Sequence, residues 1–172
     1  MTSEQKTVGV GAASGIAVML LGLLALTPVM PTIGPAADVG ARLAVALRWD
    51  AVAVLPLFLA VVSVGNARFS SEAIDPTAGK ESRATLIDGR VVDNTVQQYL
   101  LFLMATLGVA ASDGAKLEVV EAAAVIFVVA RFAFWIGYRV HPLYRAFGMA
   151  ATSYLSVVLF GYALWLNLAG PS

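Results

Sequence analysis

Cysteine is absent from this chain, and histidine occurs only once, as His141. Without cysteine the protein can form no disulfide, hold no iron–sulfur cluster and offer no thiol nucleophile of its own. Any sulfur chemistry would therefore need a thiol that a ligand supplies. A solitary histidine beside Pro142 also argues against a metal site or a histidine base, so no metal ligands are predicted.

Charged residues are also scarce, because only 13% of the 172 residues are charged and the formal net charge is zero. A neutral chain lacks the basic surface that attracts nucleic acid, which argues against nucleic acid as a partner. Hydrophobic residues make up 59% of the chain, and its mean hydropathy is +0.83. A soluble domain of this length could not bury so much apolar surface. The composition therefore predicts an integral membrane protein surrounded by lipids.

Apolar stretches long enough to cross about 30 Å of hydrocarbon as a helix, which takes roughly 20 residues, occur along the whole chain. They are Val8–Met30, Leu47–Gly65, Val91–Ala111, Leu117–Tyr138 and Ala146–Leu168. The first is longer than the apolar part of a signal peptide and no clear cleavage site follows it, so we expect it to be retained. The predicted fold is all-α. Residues 47–168 form a left-handed four-helix transmembrane bundle, and residues 1–46 hold an extra N-terminal transmembrane helix and an external loop.

The connecting segments carry weaker signals. The amphipathic stretch Val39–Ala46 predicts a short interfacial helix within the external loop. Pro56 predicts a kink in the second apolar stretch, because proline removes a backbone hydrogen bond. Ser70–Gly89 is the longest polar piece and predicts an ordered loop. The short link Ser112–Gly114 predicts that the two helices beside it pack as an antiparallel hairpin.

Lysine and arginine are distributed unevenly between the two sides that these spans create. With the N-terminus in the cytoplasm, the outer side receives Arg42, Arg48 and Lys116. The cytoplasmic side then receives the larger set, which is Lys6, Arg68, Lys80, Arg83, Arg90, Arg139 and Arg145. Positive residues accumulate on the cytoplasmic side of membrane proteins. The distribution therefore predicts a multi-pass protein with its N-terminus in the cytoplasm and its C-terminus outside.

One apolar helix carries a ladder of polar residues, Arg90, Asn94, Gln97 and Gln98. At 100° per residue these positions fall on one side of the helix. A second apolar segment holds Arg131. Charged groups at membrane depth are costly, so they usually face a bundle interior, form a pair or mark a site. The function should therefore be sought at these polar residues.

Several of these residues have two interpretations. Arg90 is either an arginine reaching for the membrane surface or a clamp for a ligand carboxylate. Asn94 and Gln97 either form hydrogen bonds between helices or contact a ligand. Arg131, the deepest charge, is expected to pair with the polar groups of the helix that carries the ladder, or with a carbonyl. Arg145 is either a cytoplasmic anchor or part of a site.

The same residues resemble the family of membrane-associated proteins in eicosanoid and glutathione metabolism (MAPEG). The family motif Arg-x-x-x-Asn-x-x-Glu is here Arg90-Val-Val-Asp-Asn94-Thr-Val-Gln97. In the next helix the family has an arginine, two tyrosines four apart and an arginine seven residues on. In this chain those positions are Arg131, Phe134, Tyr138 and Arg145.

The resemblance covers residues 47–168 and is strongest to the mattrin-type (transmembrane protein 79-like) branch. Shared with that branch are Leu47-Arg48-Trp49, Ile74-Asp75-Pro76 and Asn94-Thr-Val-Gln97-Gln98. It implies a homotrimer of four-helix subunits that binds glutathione between subunits near the cytoplasmic face. Arg145 would lie beside the glutathione sulfur as the catalytic residue. The candidate ligand-binding residues are Arg68, Arg90, Asn94, Gln97, Gln98, Arg131 and Tyr138.

Two departures from the family pattern bear on activity. Gln97 replaces a glutamate and carries no charge for a ligand ammonium, and Phe134 replaces a tyrosine and lacks its hydroxyl. Two functions therefore remain open. The first is a glutathione-binding membrane protein that acts as a transferase or peroxidase on lipophilic small molecules, with glutathione as substrate or ligand. The second is a non-catalytic membrane adaptor or lipid-binding protein on the same scaffold.

Overall fold

The structure, a computed structural model, describes residues 1–31 and 38–169. The described residues form helices and no strands, which confirms the predicted all-α fold. In chain order the α-helices are α1 (Ser3–Leu26), α2 (Val39–Ala53), α3 (Leu55–Phe69), α4 (Arg83–Ala111), α5 (Leu117–Val140) and α6 (Ala146–Ala169). Two short 3-10 helices, Thr27–Val29 and Pro142–Arg145, follow α1 and α5.

The second predicted span consists of two helices in succession. Helix α2 ends at Ala53 and α3 begins at Leu55, with Pro56 in the first turn of α3. Proline has no backbone N–H to continue the α2 ladder, so the break lies where the sequence predicts a kink. The separate interfacial helix predicted at Val39–Ala46 is wrong, because α2 runs through this segment without interruption. Asp38 starts it by accepting a hydrogen bond from the backbone N–H of Ala41 at 2.9 Å.

Within the described residues, four segments are long and apolar enough to cross a membrane. They are Ser3–Val29, Val39–Phe69, Leu117–Val140 and Pro142–Leu168. Helix α4 is not among them, although its 29 residues exceed the length that a span requires. Its polar ladder lowers its hydropathy, and it begins at Arg83, eight residues before the span predicted there. Part of the predicted polar loop, Ser70–Gly89, is therefore helical.

The core lies between α4, α5 and α6, with α2 and α3 packed beside them. Phe102 of α4 and Phe127 of α5 meet there with ring centroids 4.5 Å apart, and Leu155 of α6 is fully buried beside them. The link at Gly114 turns the chain so that α4 and α5 form the predicted hairpin, with Gly114 at a φ of +72°. Helix α1 packs outside this bundle, against α5 and α6.

An ordered loop joins α3 to α4. Arg68 at the end of α3 forms an ion pair of 2.7 Å with Glu81. Within the loop, the Asp75 carboxylate accepts hydrogen bonds from the Thr77 hydroxyl at 2.6 Å and the Thr77 backbone N–H at 2.8 Å. These bonds hold the pKa of Asp75 below its ordinary value. We call this end of the bundle the loop end; α1, α4 and α6 begin there, and α3 and α5 end there.

Candidate functional site

A cavity of about 360 Å³ lies at the loop end of the bundle. Helices α4 and α5 and the 3-10 segment Pro142–Arg145 meet around it. Four of the predicted site residues line it, namely Arg90, Asn94, Tyr138 and Arg145. Its remaining walls are largely apolar and come from Val8, Phe134, Pro142, Leu143, Ala146 and Met149. The cavity lining therefore combines polar groups, including two guanidinium groups, with apolar side chains.

Helical spacing explains the contributions of α4 and α5. Arg90 and Asn94 are four residues apart on α4, and Phe134 and Tyr138 are four residues apart on α5. Side chains four apart lie one above the other on the same face of a helix. Each helix therefore presents one short column of side chains to the cavity.

Arg145 reaches the cavity because the chain folds back sharply after α5. A Cβ atom on Gly137 would lie 2.8 Å from the backbone oxygen of Tyr144, closer than real Cβ atoms approach. The 3-10 segment is held in place by His141, whose Nδ1 accepts a hydrogen bond from the Leu143 N–H at 3.3 Å. Gly137 thus lets the 3-10 segment lie directly on the last turn of α5. No pattern in the sequence marks this glycine as part of a site.

Two aromatic rings lie between two arginines in a row that leads from the bundle interior to the cavity. The Arg131 guanidinium carbon lies 4.1 Å from the ring centroid of Phe134, and the Phe134 and Tyr138 ring centroids are 5.9 Å apart. The Arg145 guanidinium carbon lies 4.9 Å from the ring centroid of Tyr138. Guanidinium groups are attracted to aromatic faces at such distances. The row positions Tyr138 and Arg145 relative to the buried charge of Arg131.

Arg131 is only 1% exposed and pairs with helix α4, as the sequence predicts. It donates hydrogen bonds to the Asn94 side-chain oxygen at 3.0 Å and to the Thr95 hydroxyl at 2.5 Å. A third donor atom, Nε, has no hydrogen-bond partner among the described residues. Asn94 therefore forms the predicted hydrogen bond between helices, and it also lines the cavity, where its contact with a ligand stays a prediction.

A buried carboxylate holds the neighbouring face of α5. Asp88 of α4 accepts hydrogen bonds from the Trp135 indole N–H at 2.8 Å, from Arg139 Nε at 2.8 Å and from the Ser63 hydroxyl at 3.0 Å. A second guanidinium N–H of Arg139 also donates to Asp88. This network joins α3, α4 and α5 beside Tyr138. Asp88 is not among the site residues predicted from the sequence, although an aspartate at the start of an apolar helix is a detectable signal.

Three further candidates lie away from this cavity within the subunit. Gln98 is buried and accepts a hydrogen bond from the Ser153 hydroxyl at 3.2 Å. Arg68, paired with Glu81, lines a separate cavity of about 380 Å³ between α3 and α4 together with Asp93. Gln97 is exposed on the outer face of α4. The polar ladder is therefore divided, with Gln98 turned to the core and Gln97 turned outward.

Exposed residues recur along the outer face of α4 at alternating spacings of four and three. They are Leu86, Arg90, Asp93, Gln97, Leu100 and Met104. We call this row the α4 seam. A repeat of 3.5 residues keeps a seam facing a partner helix along its length. Arg90 belongs both to the seam and to the cavity.

Comparison with known proteins gives one match. A sequence model of the MAPEG family matches residues 46–165, well over half of the chain. No curated protein and no solved structure is significantly similar to the chain. The matched range begins within α2 and ends within α6, so it contains every cavity residue except Val8.

Proposed function

The chain belongs to the MAPEG family, and from this premise we propose that it binds glutathione in the cavity at the loop end. Membership makes it a multi-pass integral membrane protein of the glutathione and eicosanoid metabolism kind. Glutathione binding, the residues that carry it and any turnover are the proposal. The proposed contacts are Arg90, Asn94 and Tyr138 to the peptide and Arg145 to the sulfur.

One observation carries the proposal: two guanidinium groups and a phenol face one cavity beside an apolar wall. Glutathione has two carboxylates, and arginine binds carboxylates with two parallel hydrogen bonds. The cavity volume of about 360 Å³ falls in the range of roughly 300–1,000 Å³ that is usual for small-ligand sites. The size and the charge of the cavity are therefore both suited to an anionic tripeptide.

The proposed role of Arg145 follows from the ionisation of a thiol. A neighbouring cation favours the charged form and lowers a thiol pKa from about 8.5. The thiolate would attack an electrophilic carbon of a lipophilic acceptor, forming a carbon–sulfur bond and expelling the leaving group with its electron pair. Because Gln97 has no charge and Phe134 has no hydroxyl, we expect this transferase activity to be weak.

We also propose a homotrimer assembled through the α4 seam. The seam exposes Arg90, Asp93 and Gln97 within an apolar helix. Polar groups left against lipid without partners cost several kcal/mol each, at about 2–7 kcal/mol for a hydrogen-bonding group. Packing of α4 against its copies would cover these groups, and family membership supports the number three. Gln97, which lies outside the cavity in one subunit, would then lie near neighbouring subunits.

The finer assignments rest on sequence features. We propose that the chain belongs to the mattrin-type branch, supported by the Leu47-Arg48-Trp49 and Ile74-Asp75-Pro76 strings. We propose that the loop end faces the cytoplasm, supported by the excess of lysine and arginine there. We propose that the chain divides near residue 46, supported by the start of the matched segment at that residue.

A second candidate function, a lipid-binding protein or membrane adaptor without turnover, is favoured by another cavity. A groove of about 200 Å³ between α1, α5 and α6 is lined almost entirely by apolar side chains, including Met19, Ile126 and Phe147. Calorimetry of the detergent-purified protein with glutathione separates the two functions. Saturable binding at up to millimolar glutathione supports the first function, and its absence leaves the second.

A further inference from the structure

Helix α1 supplies part of the cavity although it lies outside the family match. The match begins at residue 46, whereas α1 spans Ser3–Leu26. Val8 of this helix lines the same cavity as Arg90, Tyr138 and Arg145. One wall of the candidate site is therefore built by a segment that the shared four-helix domain does not contain.

Close packing at two glycines fixes α1 against the start of α6 and against α5. A Cβ atom on Gly15 would lie 2.2 Å from the backbone oxygen of Phe147, and one on Gly22 would lie 3.2 Å from Cδ1 of Ile126. Val8, Gly15 and Gly22 are seven residues apart, so they share one face of the helix. The contacts at the two glycines therefore turn Val8 toward the cavity and hold it there.

The cavity is lined by both polar and apolar side chains, and Val8 is one of the apolar ones. The polar residues are Arg90, Asn94, Tyr138 and Arg145. The apolar residues are Val8, Phe134, Pro142, Leu143, Ala146 and Met149. Ala146 directly follows Arg145, and its Cβ would be 3.3 Å from a Cβ on Gly11 of α1. The wall formed by α1 therefore adjoins the residue proposed to bind the sulfur.

We propose that Val8 is a specificity-determining residue that contacts the apolar group attached to, or reacting with, the glutathione sulfur. The ligand class is a glutathione whose sulfur carries a lipophilic substituent, with the peptide bound by the polar residues and the substituent in contact with Val8. This inference rests on the proposed glutathione site. In this arrangement α1 limits the size of the lipophilic group on the glutathione sulfur.

The chain contains no cysteine, so a Val8→Cys variant carries a single thiol. The experiment measures the rate at which a maleimide modifies this thiol in detergent, alone and with S-methylglutathione or S-hexylglutathione. Both probes lack a free thiol and so do not consume the maleimide. The matched control is Val10→Cys. Val10 lies two residues after Val8 on the same helix, is 70% exposed and does not line the cavity.

We expect S-hexylglutathione to slow modification of Val8→Cys by about tenfold, S-methylglutathione to slow it less, and neither to protect Val10→Cys. A second variant, Val8→Trp, should weaken S-hexylglutathione binding by about tenfold, because the indole would fill the space beside residue 8 that the hexyl group needs. Binding of S-methylglutathione should be nearly unchanged. Val10→Trp should change neither affinity.

The outcomes separate this inference from the proposed function. If wild-type protein binds neither probe, the glutathione site itself is wrong. A different result would show that α1 is only a packing helix. In that case wild-type protein binds both probes, neither probe changes the rate at which Val8→Cys is modified, and Val8→Trp binds both probes with wild-type affinity. That result overturns the inference and leaves the proposed function standing.

Discussion

The guanidinium carbon of Arg145 lies 4.9 Å from the ring centroid of Tyr138, so a cation from one segment stacks on a phenol from another. Both groups face the cavity, and Gly137 permits the backbone approach that brings them together. A ligand at this point would meet a positive charge and a hydroxyl at once.

Replacing Arg90 with alanine should weaken glutathione binding, because it removes the proposed clamp for a ligand carboxylate. A hydrogen bond to a charged group contributes about 1.5–3 kcal/mol, which corresponds to a loss of roughly tenfold to a hundredfold in affinity. Calorimetry measures the change. Arg83→Ala is the matched control, since Arg83 is also exposed on α4 and does not line the cavity. Equal affinities for the two variants would contradict the assigned role of Arg90.

Replacing Arg145 with alanine should spare most glutathione binding and raise the pKa of the bound thiol. With the cation present, the thiol pKa is held below its ordinary value of about 8.5, so the thiolate forms near neutral pH. In Arg145→Ala the thiolate should form only at higher pH, as ultraviolet absorbance titration of the complex would show. Arg145→Lys keeps the charge and should restore part of the shift. A titration unchanged in the alanine variant would remove Arg145 from the sulfur site.

Replacing Asp88 with asparagine should destabilise the protein. Asp88 is 1% exposed and accepts hydrogen bonds from Trp135, Arg139 and Ser63, so the variant weakens a buried charge-assisted network. Because Arg139 is half exposed, we expect a modest loss of about 1–3 kcal/mol. Thermal unfolding in detergent measures it. Asp113→Asn, which affects an ion pair with Arg42 in which the carboxylate is almost fully exposed, should change stability by less than about 1 kcal/mol.

The α4 seam should lie at a three-fold interface. In the cysteine-free background, a Gln97→Cys variant should be joined into covalent trimers by a trifunctional maleimide, as denaturing electrophoresis would reveal. Leu24→Cys on the exposed face of α1 is the control and should remain monomeric, because α1 packs outside the bundle. Native mass spectrometry that finds mainly monomers or dimers in mild detergent would count against the trimer.

The loop end should face the cytoplasm. A single cysteine at Ser3, where α1 begins, should be protected from a membrane-impermeant maleimide in intact cells. A single cysteine at Asp113, exposed in the link at the opposite end, should be modified. The predicted C-terminus lies outside the described residues, so Asp113 reports on the outer side. The reverse labelling pattern would show that the orientation predicted from lysine and arginine is wrong.

Several features of the site could be predicted because they depend on regularities along the chain. The helical period places Arg90 and Asn94 on one face, and the cost of a charge at membrane depth predicts that Arg131 pairs with α4. Both predictions agree with the structure. The prediction of a separate interfacial helix at Val39–Ala46 was wrong. This stretch has a good N-cap and no helix-breaking residue at its end, so it continues as one helix to Ala53.

Other features depend on contacts between distant segments. Gly137 and Val8 both shape the site, yet each has ordinary neighbours in the sequence. The division of the polar ladder also depends on contacts between distant segments. The period puts Gln97 and Gln98 on adjoining parts of one helix, and only the packing of α4 against α6 decides that Gln98 meets Ser153 while Gln97 stays exposed.

The sequence by itself determined that this protein is helical, lies in a membrane, carries polar groups on α4 and α5 and resembles the MAPEG family. Hydropathy, helical period and motif spacing are local properties, so they can be seen without a fold. Only the tertiary structure decided that Arg145 folds back onto Tyr138 and that Val8 of α1 lines the cavity. Both arrangements require backbones to approach within a few ångströms at Gly137 and Gly15, and such contacts exist only once the helices are packed.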